Sequence, residues 1–138
     1  MNYEKMLNHL TIASGGPVDM ALKEGHASQA KERLITLKSL FGDRLYIELQ
    51  RQSGYDRAHE RRMIGLAYEH DIPLVATNEA FFPSKADYEA HDALMAVAHN
   101  AIVSDDSRFR LTPDHYLKSR EEMTALFADI PDAIDNTL

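Results

Sequence analysis

Asp71-Ile-Pro-Leu-Val-Ala-Thr-Asn-Glu-Ala-Phe-Phe-Pro-Ser84 decides how the rest of the chain is read. A short apolar strand, Leu74-Val75-Ala76, runs into a polar turn, Thr77-Asn78-Glu79, and a new helix starts a few residues later. In parallel α/β sheets, ligands and chemistry gather outside the carboxyl ends of the strands. An enzyme of this build would place a metal ligand or a base in that turn. Here the turn offers one carboxylate, Glu79, and then Ala80, Phe81 and Phe82. Hydrocarbon occupies a place suited to chemistry.

Upstream of this stretch, Leu10-Thr-Ile-Ala13 reads as a strand closed by the turn Ser14-Gly15-Gly16. Pro17 suits the first residue of a short helix ending at Gly25. Ala27, Ala30, Leu34, Leu37 and Phe41 recur at spacings of three and four, one apolar helical stripe stopped by Gly42. Arg44-Leu-Tyr-Ile-Glu-Leu-Gln50 reads as a second strand. Leu45, Ile47 and Leu49 share one face, while Tyr46, Glu48 and Gln50 share the other. Glu48 and Gln50 therefore face a polar cavity or an exposed surface. A helix from about Asp56 to His70 buries Met63, Ile64, Leu66 and Ala67.

Downstream, Ser84-Lys-Ala-Asp87 matches a helix-start capping pattern, and Ala86, Ala90, Leu94 and Val97 are expected to form that helix's buried stripe. Residues 100–118 form a loop, in which Asp105-Asp106 is a turn. Ser119-Arg-Glu-Glu122 caps a helix that turns Met123, Leu126 and Phe127 inward, and Pro131 opens a last one. No stop signal follows Thr137-Leu138, so the chain is expected to end inside an element, as a piece of something longer. Strands alternating with helices imply right-handed crossovers: an α/β fold with a short parallel sheet flanked by helices. With no repeat and no low-complexity linker, residues 1–138 form a single segment. Three strands are few, and an open edge is expected.

The bulk properties narrow the classes. The 44% apolar content is that of a globular protein, no apolar run is long enough to cross a bilayer, and there is no cysteine for disulfides or thiolate chemistry. A cytoplasmic location is the expectation, with no membrane partner. Residues 1–70 hold ten Lys/Arg against nine Asp/Glu; residues 71–138 hold five against thirteen. So acidic a half repels phosphate backbones, and no direct nucleic-acid contact is expected. The basic cluster Arg51, Arg57, Arg61 and Arg62 reads most simply as a solvated helix face.

Seven histidines, at 9, 26, 59, 70, 91, 99 and 115, invite a metal hypothesis, but none lies within seven residues of another. Ligands on one helix face need spacings of three or four. His59-Glu-Arg-Arg-Met63 begins like a zinc-hydrolase helix and has Met where the second ligand belongs. Surface or ordinary structural histidines are the simpler reading. Asp87 and Glu89 suit a helix start, and Gly15-Gly16 suits a tight turn better than an anion cradle. There is no serine elbow.

Leu45-Tyr-Ile-Glu-Leu-Gln50, Pro73-Leu-Val-Ala-Thr-Asn-Glu79, Glu89-Ala-His-Asp-Ala-Leu94 and Tyr116-Leu-Lys-Ser-Arg-Glu-Glu-Met123 through Leu126-Phe-Ala-Asp-Ile-Pro-Asp-Ala-Ile-Asp-Asn-Thr137 together resemble the bacterial replicative DNA polymerase III alpha subunits. The likeness is to the later part of their amino-terminal polymerase-and-histidinol-phosphatase (PHP) domain, from about Leu10 to Leu138. It implies a partial, distorted PHP-type barrel without the earlier histidine-rich strands and without the polymerase palm. Metal-binding members carry Asp-x-His after the Ala-Thr-Asn strand, where Glu79 and Phe81 stand here, and often a cysteine where Gly15 or Gly16 stands. The resemblance therefore implies a vestigial site at Glu79, Phe81, Gly15 and Gly16, with no metal, no cofactor and no catalytic residue in this segment. It implies that the parent is a DNA-directed DNA polymerase acting in replication. The partners it implies are the rest of the alpha chain and the proofreading exonuclease subunit. Self-association of the segment through its bare sheet is a further expectation. The rival expectation is a metal-dependent phosphoesterase or pyrophosphatase using Glu79, Glu48 and His91.

Overall fold

The computed structural model describes residues 10–137; His9 and the chain end at Leu138 lie outside the described residues. Three parallel strands, β1 (Leu10–Ile12), β2 (Leu45–Gln50) and β3 (Leu74–Thr77), lie in the order β1-β2-β3. Ile12 pairs with Ile47, and Ile47 in turn with Leu74. The helices are α1 (Pro17–Lys23), α2 (Ala27–Phe41), α3 (Arg57–Glu69), α4 (Tyr88–Ala98), α5 (Arg120–Leu126) and α6 (Pro131–Asp135). The α/β class with a short parallel sheet is as the alternation of patterns predicts.

The pleat of β2 sorts its residues as expected: Leu45, Ile47 and Leu49 are buried, and Tyr46, Glu48 and Gln50 are half-buried. The buried row joins Ile12, Leu74 and Ala76 with Val18, Leu22, Ala30, Leu34, Met63, Ala67 and Phe127 in one core. In α2 the stripe holds at Ala30 and Leu34 and loosens at both ends, where Ala27 is exposed and Leu37 and Phe41 are half-buried. Helix α3 starts where Asp56 accepts the Ala58 and His59 amides. At its other end Lys38 donates to the carbonyls of His70 and Asp71, tying α3 to α2.

Side chains cover part of the β3 edge. Along its outer edge, Asn136 Nδ2 donates to the Leu74 carbonyl at 3.0 Å and Thr137 Oγ1 accepts the Ala76 amide at 3.1 Å. The same hydroxyl lies 3.0 Å from the Ala76 carbonyl and 2.6 Å from that of Ala133. Side chains following α6 thus blunt part of the β3 edge, while the three-stranded sheet stays open as its small strand number predicts.

Helix α4 departs further from expectation. Its stripe does not face the core: Leu94 is 64% and Val97 76% exposed, and Ala86 and Ala90 are exposed as well. The inward face instead carries Asp92 and Ala96, both buried. Two arginines explain the inversion. Arg108 grips Asp92 in a fork, Nη1 to Oδ1 at 2.7 Å and Nη2 to Oδ2, and Arg110 Nη2 reaches Oδ2 at 2.9 Å. A carboxylate gripped by two guanidiniums fixes the rotation of a short helix more firmly than its hydrocarbon stripe does. The capping box at Ser84 and Asp87 is present, but it opens a single 3-10 turn, Lys85–Asp87, that leads into α4.

Candidate functional site

A cavity of about 410 Å³ opens at the carboxyl ends of β1 and β2. Ser14, Asp19, Lys23, Glu48, Gln50 and His59 are among its walls. Glu48 and Gln50 therefore take the polar-cavity option. Glu48 Oε1 accepts from Gln50 Nε2 at 2.9 Å and from the Thr77 hydroxyl, so neighbouring strand ends already occupy one of its oxygens.

One polar contact in the cavity was not legible in the sequence. Asp19 and His59 are both buried, and His59 Nε2 lies 2.5 Å from Asp19 Oδ1. Asp19 Oδ2 accepts the Gly15 amide at 2.7 Å and Lys23 Nζ at 2.8 Å. Burial pushes the Asp19 carboxyl upward, but Lys23, the Gly15 amide and His59 together outweigh it and hold the carboxyl below its ordinary value. Nδ1 of His59 has no partner among the described residues. The pair bolts the first turn of α1 to α3. No motif could have revealed it, because 40 residues separate the two side chains.

Arg51 corrects the reading of a solvated basic face. It follows β2, is 8% exposed, and uses all five N–H donors. Nε and Nη2 reach the two Glu60 oxygens at 2.7 and 3.0 Å. Nη1 and Nη2 reach the two Asp129 oxygens at 2.6 and 2.9 Å, and Nη1 also donates to the Leu126 carbonyl at 2.7 Å. Its guanidinium carbon lies 4.7 Å from the centroid of the Phe127 ring. Asp129 first and Glu60 next hold the arginine more firmly protonated than usual, against burial. Arg57, Arg61 and Arg62 are exposed, as expected.

The residues singled out after β3 do not converge. Glu79 and Phe81 are exposed, and Phe82 is buried. The Phe81 ring lies 6.1 Å from that of His91 and 5.9 Å from that of His115. Phe82 backs the same cluster, 5.2 Å from His91. Gly15 has a φ of 76°, a left-handed conformation that suits glycine. Glu48 lines the cavity, whereas Glu79 and His91 do not. Among the described residues, no three His, Asp or Glu side chains form a group able to hold a metal ion. The donor set offered by Glu79, a benzyl side chain and a glycine does not fit a multi-metal centre, which needs several ligands held together.

The loop 100–118 is pinned along its second half. Beside the Arg108 and Arg110 grip, Phe81 donates its amide to the His115 carbonyl at 2.9 Å and Leu117 its amide to that of Phe82 at 3.0 Å. Asp105 accepts the Ser107 amide and hydroxyl, the turn its sequence predicts. No helix among the described residues is long and apolar enough to cross a membrane.

Comparison with known proteins finds this chain similar to one part of much longer proteins. DNA polymerase III subunit alpha of Caulobacter vibrioides is 46% identical over 131 residues, covering 94% of this chain and 11% of that protein. The chain is similar to one segment of DNA polymerase III subunit alpha. The subunit alpha of Pseudomonas aeruginosa is 36% identical over 131 residues, and that of Borreliella burgdorferi 32% over 138. The chain spans 11 to 12% of the length of these alpha subunits. No family model matches it.

Proposed function

We propose that this chain is the later part of a PHP-type domain in a replicative polymerase alpha chain, serving as a structural and subunit-contacting scaffold whose metal site has degenerated. One observation carries the reading. The turn after β3, where the resemblance expects a ligand pair, presents an exposed Glu79 and the Phe81 ring against His91 and His115. A phenyl ring cannot coordinate, and Gly15 has no side chain to replace it. Similarity to DNA polymerase III subunit alpha over 94% of the chain supports a role within DNA replication. Synthesis itself belongs to other parts of such a polymerase.

The rival phosphoesterase needs Glu48, Glu79 and His91 around one metal. Glu48 is bonded to Gln50 and Thr77 in the cavity, and His91 is packed with Phe81 and Phe82 outside it. The test is hydrolysis of a generic phosphate ester with added manganese or zinc. Turnover no higher than without protein is expected. Turnover abolished by Glu79→Ala would restore the enzyme reading.

The proofreading exonuclease subunit is the external partner that the resemblance supplies. Asp105 and Asp106 are exposed on the loop 100–118, in the half of the chain with thirteen acidic residues. Charge reversal of both in the full-length alpha chain is expected to weaken capture of the exonuclease, and unchanged capture would remove this loop from the interface.

A further inference from the structure

We infer that the outward stripe of α4, Ala90, Leu94 and Val97, is an intrachain docking face for an apolar, basic-rimmed surface elsewhere in a longer alpha chain. The inference rests on the proposed role as a segment of such a chain. Those three positions lie on one helical face, with spacings of four and three. Leu94 and Val97 are the only large side chains on that face, and both stand in solvent, 64% and 76% exposed. Ile102, just past the helix, adds a side chain that is 73% exposed. The helix cannot roll to bury them, because Asp92 on the opposite side is held by Arg108 and Arg110. It also packs chiefly on its own leading 3-10 turn rather than on the sheet. An apolar face locked outward in this way is the signature of a contact surface.

Size decides between occupants. The stripe with Ile102 offers roughly 400 Å² of apolar surface, about half of what one partner contributes to a stable complex of free proteins. A second copy would have to meet the cost of lost translational and rotational freedom from this small area. A surface tethered in the same chain does not, since the tether supplies a high effective concentration. The alpha subunits similar to this chain are about nine times its length, so polypeptide to cover the face exists in them. Glu89 lies exposed at the margin of the stripe, which selects a basic group on the occupant's rim.

The absence of cysteine makes the test direct. Leu94→Cys and Val97→Cys are prepared separately, with Asp106→Cys as a control, in both the 138-residue chain and a full-length alpha chain carrying it. Maleimide modification is followed by peptide mass spectrometry. Positions 94 and 97 are expected to react at least ten-fold more slowly in the full-length chain, with position 106 reacting alike in both. Equal rates at 94 and 97 in the two proteins would overturn the inference. Protection already present in the 138-residue chain and rising with its concentration would also overturn it, in favour of a second copy. Zinc titration of the same full-length protein reports separately on the scaffold reading, so the two can fail independently.

Discussion

Replacing Arg51 with methionine isolates one of the contacts that hold the C-terminal segment to the rest of the fold. Methionine keeps much of the stem that packs on Phe127 while removing all five donors. Glu60, whose side chain is 11% exposed, is then left desolvated beside an apolar group, whereas Asp129, at 65%, can turn to water. Breaking a buried pair by deleting one partner costs about 3–5 kcal/mol, and an exposed pair about 0–1 kcal/mol. The Leu126 carbonyl also loses a donor, a charged-group hydrogen bond of about 1.5–3 kcal/mol before water replaces it. Because Glu60 keeps some access to solvent, the lower end applies, and Arg51→Met should cost about 3 kcal/mol. Asp129→Asn should cost under about 1 kcal/mol. Urea unfolding followed by far-ultraviolet circular dichroism measures both. In Arg51→Met/Glu60→Leu no carboxylate is stranded at position 60, so about half of the loss should return. A cost below about 1 kcal/mol for Arg51→Met, or no recovery in the double variant, would refute the assignment of Arg51 as the clamp.

Other perturbations read other joints. Thr137→Val keeps the shape but not the hydroxyl, so it should cost about 1–2 kcal/mol in the same unfolding assay and raise aggregation measured by light scattering, because the β3 edge loses its cap. Asp92→Asn should free the loop 100–118, seen as faster tryptic cleavage after Arg108 and Arg110 with the rest of the chain intact. Arg108 first, then Arg110, holds the Asp92 carboxyl at about 2 against burial. That stabilisation is complete above the unfolded carboxylate value of about 3.9 and is lost as pH falls toward 2. Loop cleavage by an acid protease should therefore rise between pH 4 and 2 in the wild type, and Asp92→Asn should show no such step. His59→Phe removes the partner of Asp19 Oδ1 and should lower stability by about 2 kcal/mol, read by thermal unfolding.

Local physics explains which features were legible. The pleat of β2, the helix start near Asp56 and the cap at Ser119 follow from residues a few positions apart, and the structure has them as read. The stripe of α4 was equally regular and faced the wrong way. Periodicity shows that a helix has an apolar side, not which side meets the sheet; Arg108 and Arg110 decided that from beyond the helix. The Asp19–His59 pair and the Arg51 clamp were hidden for the same reason, since their partners lie 40 and 78 residues away. At the candidate site, the hydrocarbon after Glu79 was plain in the sequence. The contact of Phe81 with His91 and His115 needed the fold.

Isothermal titration calorimetry of zinc and of manganese into the full-length alpha chain tests the scaffold reading most directly. No saturable heat at stoichiometric metal is expected from the site formed by Glu79, Phe81 and Gly15. Stoichiometric binding at micromolar metal that disappears in Glu79→Ala would contradict it.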